Sequence, residues 1–391
     1  MYDVAVLGAG PAGAVAAWHL ARAGARVILL ERASLPRYKT CGGGLIGRAL
    51  AALPVDVSPL VERRSEAVDL HVADAGVRVR CAQPDALVTL AMRAVLDHRL
   101  ACAAGEAGAE LAAPCPVTAV EPGQDRVTLA TPRGRIAARF VVAADGATGL
   151  AARAAGWPPN PATVPALECE VSVAPATFDR LAQSPRFDFG VVPHGYGWVF
   201  PKRAHLSVGV LSTRRSNGVA GDRLQTSLQR YFAHVGLDRI ERVERHGYLI
   251  PARPLGPPFV RRRVLLVGDA GGFADPVTLE GISFAARTAA LAAQAIIDGD
   301  GDPPAVAARY DRALAADVLP ELAVARRLAT ILYDRPPVRR WLFRVAGQRF
   351  GDAVAAVMAG RLTYRAVARR PLARLVLAVA GAAPRLEGSA R

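Results

Sequence analysis

Apolar residues along this chain fall into short runs and longer helical stretches, and the order in which these alternate lays out an architecture. Residues 4–7 form a short apolar run, residues 11–23 have helical composition, and residues 27–30 form a second short run that ends at Glu31. Two short buried strands around one helix make a βαβ opening. Residues 90–108 predict another helix, and residues 134–144 predict a strand that stops at Asp145-Gly146. Between them, residues 68–80 and 117–131 carry the short, turn-punctuated pattern of antiparallel strands. From Trp157 the chain turns proline-rich and then alternates, predicting strands over 188–192 and 198–211 and a helix over 222–235. A buried strand at 264–267 and an alanine-rich helix over 281–298 return to the opening pattern, and everything beyond Pro303 reads as helical and arginine-rich. The expected organisation is a discontinuous first domain, 1–156 plus 262–302, interrupted by a sheet-based domain, 157–261, and followed by a C-terminal helical region, 303–391. No internal repeat or low-complexity tract interrupts this order.

Composition narrows what such a chain can do. With 391 residues, 52% of them hydrophobic, it is longer than one core usually organises and has ample apolar material for two. The formal net charge of +15 raises nucleic acid as a partner. The arginines are dispersed, however, and lack the aromatic-interleaved basic stripe of a single-strand binder, so no nucleic acid is expected. An anionic lipid surface or an acidic substrate fits the charge better. Five cysteines without a Cys-x-x-Cys pair argue against a disulfide framework and against a zinc site, so no metal is expected and a cytoplasmic location is. The first residues carry no basic region or cleavage site, which predicts no signal peptide. The longest apolar run, 375–384, is too short to span a bilayer.

Candidate chemistry starts at Gly8-Ala9-Gly10-Pro11-Ala12-Gly13, placed between the first strand and the first helix, with Glu31 closing the next strand. In this arrangement Gly8 permits the tight turn, Gly10 lets backbone approach a pyrophosphate, and Gly13 lets the helix pack on the strand. The phosphates meet the helix N-terminus near Ala12, where free N–H groups and the helix dipole favour an anion. Glu31 stands where a ribose-binding carboxylate belongs. A second strand runs into the corner Gly268-Asp269-Ala270, followed by Asp275-Pro276 and a helix start at Gly281-Ile282. Asp269 there is placed to accept from a ribityl hydroxyl, and the helix N-terminus to face an electron-rich flavin edge.

Two further segments stand out because they hold the only lysines among 49 basic Lys and Arg residues: Arg37-Tyr38-Lys39-Thr40-Cys41-Gly42-Gly43-Gly44 and Gly195-Tyr196-Gly197-Trp198-Val199-Phe200-Pro201-Lys202. Arginine has taken every other basic position, while these two keep a compact ammonium. Tyr196, Trp198 and Phe200 recur at every second residue, which puts all three on one face of a strand. His194 and His205 flank that strand and are expected to be structural.

The Lys-x-Cys-Gly-Gly-Gly segment, the Tyr-x-Trp-x-Phe-Pro-Lys segment and the Gly-Asp-Ala corner, taken together, resemble the geranylgeranyl reductase family among the FAD-containing, hydroxylase-like flavoproteins. The match is spread over residues 1 to about 300, and the helical remainder adds nothing to it. The resemblance implies a mixed α/β fold: a Rossmann-type FAD-binding domain, an interleaved antiparallel-sheet substrate domain and a helical C-terminus. It implies that Gly13, Glu31 and Arg32 hold the adenosine end of FAD and that Gly42, Gly43 and Leu45 line the flavin. Arg93, in Arg-x-x-Leu-Asp, is similar to the family's FAD-binding arginine, Val117 matches a backbone contact near the adenine, and Asp145-Gly146 resembles a second dinucleotide-contacting turn. Asp269, Gly281 and Ile282 complete the expected cofactor shell.

The activity so implied is reduction of isolated double bonds in geranylgeranyl or other polyprenyl groups on lipids or diphosphates. Electrons would come from NADPH or a small electron-carrier protein. Tyr196 and Trp198 would offer π-surface to a developing carbocation, with Phe200 and Lys202 on the substrate. Cys41 stands either as proton donor or as a small residue packed beside the flavin. Lys39 and Lys202 stand either on phosphates or, for Lys202, on local backbone. A face of Val338, Trp341, Leu342 and Val345 beside arginines suits a helix lying on the inner face of a membrane, or else a core-packing helix. Two other activities stay open: a monooxygenase or halogenase, because the aromatic segment also resembles the halogenases' Trp-x-Trp-x-Ile-Pro, and a carotenoid-type cyclase without net redox change. Oligomeric state is not legible.

Overall fold

The computed structural model describes residues 1–214, 220–237 and 239–382. Its first layer is an eight-stranded sheet whose path runs Val260–Arg261, Val264–Leu266, Gly134–Ala143, Tyr2–Leu7, Val27–Leu30, Glu110–Ala112, with the hairpin Ala119–Pro122/Val127–Thr131 attached to the long strand. The central strands are parallel. They read as continuous apolar runs because both their faces are covered, as a parallel sheet requires. The helices Pro11–Arg22, Arg93–Glu106 and Ile282–Asp298 pack together over one face.

The second layer is a seven-stranded sheet in the order Ile240–Pro251, Thr163–Val173, Leu206–Ser212, Gly195–Pro201, Arg186–Phe189, Ala67–Val72, Val77–Ala82. One face packs Cys169, Val171, Val208 and Val210 under the helix Ala220–Val235, through Leu224, Leu228 and Tyr231. The other face carries Tyr196, Trp198 and Phe189 into the main core shared with the first layer and the C-terminal helices. A small three-stranded sheet, Gly44–Ile46, Val88–Ala91 and Val61–Ser65, closes the edge between them.

Two sequence expectations change here. Residues 67–82, assigned to the first domain by their position in the chain, lie at the far edge of the second sheet. Ala67–Val72 pairs in parallel with Arg186–Phe189 across more than a hundred residues, and such non-local pairing leaves no trace in local periodicity. The helix expected over 90–108 begins at Arg93, because Val88–Ala91 is a buried strand that pairs with Gly44–Ile46.

Beyond residue 303 the chain forms Pro303–Asp317, Leu319–Asp334, Pro336–Met358, Tyr364–Ala368 and Pro371–Ala382; residues 383–391 of the expected helical region lie outside the described residues. The long helix is broken at Ala346 (φ −144°, ψ 25°). Its expected apolar face divides: Leu342 is buried and Val338 packs on the core, while Trp341 and Val345 are 45% and 65% exposed. No helix among the described residues is long and apolar enough to cross a membrane.

Candidate cofactor and substrate site

The three glycines of the first loop do three different jobs. Gly8 has φ +95°, and a Cβ there would lie 2.6 Å from the Ala144 carbonyl oxygen. At Gly13 a Cβ would lie 1.8 Å from the Gly8 carbonyl oxygen, so helix and turn touch backbone to backbone. At Gly10 a Cβ meets nothing nearer than 4.0 Å, and what it meets there is the guanidinium groups of Arg37 and Arg93. The opening beside Gly10 is therefore free, cationic and set at the N-terminus of a helix that no side chain caps.

Carboxylates hold these cations in place. Asp97, fully buried one turn along the Arg93–Glu106 helix, accepts from Arg93 Nε at 2.8 Å and Nη2 at 2.9 Å, and from Arg37 Nη1 at 3.0 Å. Arg37 Nη2 also donates to Glu31 Oε2 at 3.1 Å, and the same oxygen accepts from the Ala9 N–H at 3.0 Å. Glu31 thus stands beside the glycine loop, as expected of a ribose carboxylate. Cys115 N–H donates to the Glu31 carbonyl at 2.7 Å, which brings Val117 to the same end of the sheet. Arg32 is exposed beside Glu31. Lys39 places Nζ over the Tyr248 ring, 3.2 Å from its centroid. Burial, helped by the charge of Arg93, lowers its ammonium to about 8. Tyr248 in turn donates to Asp269 Oδ2 at 2.9 Å, and a Cβ at Gly281 would lie 3.3 Å from Asp269 Oδ1. Asp269, Gly281 and Ile282 therefore meet at one corner, with Gly268 close against Ala12 of the first helix.

The second glycine segment crosses beneath the aromatic strand. A Cβ at Gly42 would lie 2.8 Å from Phe200 and 3.2 Å from Trp198 Nε1, so only glycine lets this loop pass under the rings. Cys41 Sγ accepts from the Gly43 N–H at 3.3 Å and sits within hydrogen-bonding reach of Arg93. Leu45 is fully buried and is left with only its backbone to offer a ligand. From Phe200 the aromatic contacts continue: Phe200–Phe187 at 5.2 Å, Phe187–Tyr196 at 5.4 Å, Tyr196–Phe189 at 5.6 Å and Tyr196–Tyr333 at 6.3 Å, with Phe343 at 6.5 Å from Phe189. This wall runs from the glycine loop to the C-terminal helices. Tyr196 and Tyr333 also donate to the carbonyls of Thr278 and Val277, pinning the loop that precedes Gly281. That loop is anchored further by Asp275, which accepts from Arg48 and from Tyr364 Oη at 2.8 Å.

Two expected site residues are placed differently. Lys202, expected on the substrate, is completely buried and donates from Nζ to the Gly42 carbonyl at 2.6 Å. Alternation does put it on the face of Tyr196, Trp198 and Phe200, but that face meets the glycine loop at this end. Asp145, expected at the dinucleotide, turns back on its own loop: Oδ2 accepts from Ala151 N–H at 2.9 Å, and a Cβ at Gly149 would lie 2.1 Å from its carboxyl carbon. Burial raises its carboxyl above the usual range. His194 and His205 pair with Asp334 at 3.0 Å and Glu170 at 2.9 Å.

Comparison with known proteins decides what this arrangement belongs to. A family described as an FAD binding domain matches residues 1–299. The geranylgeranyl diphosphate reductase of Rhodobacter capsulatus is 32% identical over 76% of this chain and 76% of its own. The digeranylgeranylglycerophospholipid reductase 1 of Methanopyrus kandleri is 30% identical over 85% of this chain and 90% of its own. The chain belongs to the geranylgeranyl reductase family of FAD-dependent oxidoreductases. In fold it is similar to a geranylgeranyl bacteriochlorophyll reductase-like protein from Thermoplasma acidophilum, with a TM-score of 0.71 and 21% identity over 96% of this chain and 95% of that one. The flavin-dependent brominase Bmp2 shares the fold too, with a TM-score of 0.72 and 18% identity over 92% and 93%.

FAD fits the residues present. The open, cationic cradle at Gly10 suits a pyrophosphate, Glu31 stands beside it, and Asp269 with Gly281 lies toward the glycine loop of 41–44. Reading the sequence for family motifs passes over several residues that build this site. Arg37 and Asp97 are among them, although the Arg93-x-x-x-Asp97 spacing is a visible i, i+4 pair. Glu168 is another. It is 1% exposed and accepts from Tyr38 Oη at 2.7 Å and from Ser207 Oγ at 2.9 Å, and Ser207 lies 3.4 Å from Trp198 Nε1. Burial and neighbouring Glu170 push the Glu168 carboxyl up to about 8.

Proposed function

We propose that this oxidoreductase saturates isolated double bonds of geranylgeranyl or longer polyprenyl groups carried on lipids or diphosphates. The observation that supports it most is the aromatic wall, which begins against Gly42 and continues unbroken to the C-terminal helices. A trisubstituted alkene without an activating group does not accept hydride until a proton arrives first or in concert, and protonation leaves tertiary cation character. Tyr196, Trp198 and Phe187 are packed rings whose π-faces would favour such charge in dry, apolar surroundings. Bound FAD, in its reduced form, supplies the hydride. Gly8, Gly10, Ala12, Gly13, Glu31, Arg37 and Arg93 would hold its adenosine diphosphate part. Gly42, Gly43, Asp269, Gly281 and Ile282 would hold its ring and ribityl end. Cys41 is the candidate to hold a proton at Sγ beside Gly43. Lys202 and Asp275 keep the two loops in register.

Electrons are expected from NADPH or a small electron-carrier protein. Exposed Trp341 and Val345, with Arg340 and Arg344 on the same helix and a net charge of +15, support peripheral contact with an anionic membrane from the cytoplasmic side. One assay tests the reading. FAD-loaded protein is reduced anaerobically and given geranylgeranyl diphosphate or a geranylgeranylated lipid, and the product is weighed. A gain of two hydrogens per double bond is expected. Unchanged mass with altered connectivity would indicate a cyclase, and turnover only with oxygen a monooxygenase or halogenase.

A further inference from the structure

A cavity of about 410 Å³ opens on the far side of the loop that Tyr196 and Tyr333 pin down. Its inner wall is apolar, formed by Val164, Pro276, Leu279, Ala329 and Tyr333. Tyr333 is both part of this wall and part of the aromatic array, stacked on Tyr196 at 6.3 Å. The cavity therefore abuts the back of the aromatic array, with Tyr333 as the wall between them. Its rim has the opposite character. Arg214 and Arg326 line it, and Arg253 adjoins rim residue Ala252. Arg253 stands close enough to Arg326 for its charge, after burial, to hold that guanidinium below its usual range. Among the described residues none of these three arginines has a carboxylate partner. The one acidic residue at the rim, Asp334, is taken by His194 at 3.0 Å.

An unpaired cluster of like charges is unfavourable on a surface unless something neutralises it. All three arginines are exposed, and two of them, Arg214 and Arg326, line the mouth of the same apolar pocket. An apolar pocket of ordinary ligand size with convergent guanidinium groups at its mouth is built for an amphiphile whose polar end is a phosphate.

We infer that Arg214, Arg253 and Arg326 bind the phosphate or diphosphate end of the substrate, while its prenyl chain runs inward past Leu279 to Tyr333. The inference rests on the reductase reading above and narrows its substrate to anionic polyprenyl compounds rather than neutral quinones or alcohols. Removing two of the three cations takes away at least one charge-assisted contact, so affinity for the anion falls about tenfold or more.

The test uses the FAD-loaded protein and the variant Arg253→Gln/Arg326→Gln, whose FAD absorbance and melting temperature should match wild type. For geranylgeranyl diphosphate, KM should rise at least about tenfold, while geranylgeraniol, with the same chain and no charge, should show unchanged kinetics. A geranylgeranylated phospholipid in mixed micelles forms a third arm. A rise confined to one of the two anionic substrates supports the site and identifies which phosphate it holds. Calorimetry with inorganic pyrophosphate gives a readout free of turnover: wild type binds, and the variant does not. Equal shifts for diphosphate and alcohol, or pyrophosphate binding that survives the substitutions, overturn the inference. Should wild type reduce none of the three substrates, the reductase reading fails, and the pyrophosphate result still decides the anion site by itself.

Discussion

Replacing Lys202 by methionine separates two accounts of this residue. Methionine keeps the length and apolar contacts of the stem and removes only the ammonium. In the wild type that ammonium is completely buried and donates to the Gly42 carbonyl at 2.6 Å. Losing a charged donor leaves a buried carbonyl unpartnered, at about 1–3 kcal/mol. Part of this is offset, because burial already lowers the lysine pKa and in the methionine variant no charge has to be desolvated on folding. The net effect on global stability should therefore be small, about 1 kcal/mol or less, since the two terms oppose each other. The effect on residues 41–44 should be larger, because Lys202 is the side chain that fixes their carbonyl. If the loop spends nine-tenths of its time misplaced, FAD binds about tenfold more weakly. Titrating apoprotein with FAD by fluorescence quenching measures this directly, beside thermal melts and KM for the prenyl substrate. Lys202→Arg should be worse than methionine. A Cβ at Gly43 would already lie 2.3 Å from Nζ, so there is no room for a guanidinium. Wild-type FAD affinity in Lys202→Met together with a raised KM for diphosphate would refute this account and put the ammonium on the substrate instead.

Four other substitutions bear on the site. Gly10→Ala meets nothing closer than 4.0 Å and should melt like wild type while losing FAD, whereas Gly13→Ala, with its Cβ 1.8 Å from a carbonyl oxygen, should lose both stability and FAD; melting curves of apoprotein and flavin content after purification distinguish them. Glu168 holds its proton more tightly folded than unfolded, so its contribution is fully present below about pH 4.5 and is lost as pH rises through about 8. Glu168→Gln should flatten that decline, and equal slopes for both proteins in melts from pH 5 to 9 would argue against it. Trp198→Phe should retain FAD and lower kcat, because the smaller ring leaves less π-surface beside Gly42; unchanged turnover would remove Trp198 from the reaction.

What was legible in the sequence follows the range of the interactions. The βαβ opening and the Gly8–Gly13 loop are local, so turn, helix start and strand end could be read within thirty residues. The alternation of Tyr196, Trp198 and Phe200 correctly put three rings on one face. It could not say what faced Lys202, because Gly42 lies 160 residues away. Glu168 and Tyr38 are separated by 130 residues and look ordinary in isolation. The wall's other members, Phe187, Phe189, Tyr333 and Phe343, come from a neighbouring strand and two later helices, and only packing assembles them. Asp145 shows the reverse error: a strand-end Asp-Gly fits a ligand turn and a self-capping turn equally well, and hydrogen bonding to Ala151 selects the second.

The parallel pairing of Ala67–Val72 with Arg186–Phe189 has a mechanical consequence. The chain starts in the nucleotide-binding layer, enters the seven-stranded sheet, leaves it to build four more strands of the first layer, and then enters and leaves again. Two bodies stitched together in this way have no single hinge about which to swing apart. If the substrate is the long apolar chain proposed above, the two layers would not admit it by opening like a jaw. Such a substrate would be threaded in from the side, end first, and its double bonds would then reach the glycine loop in the order in which they lie along the chain.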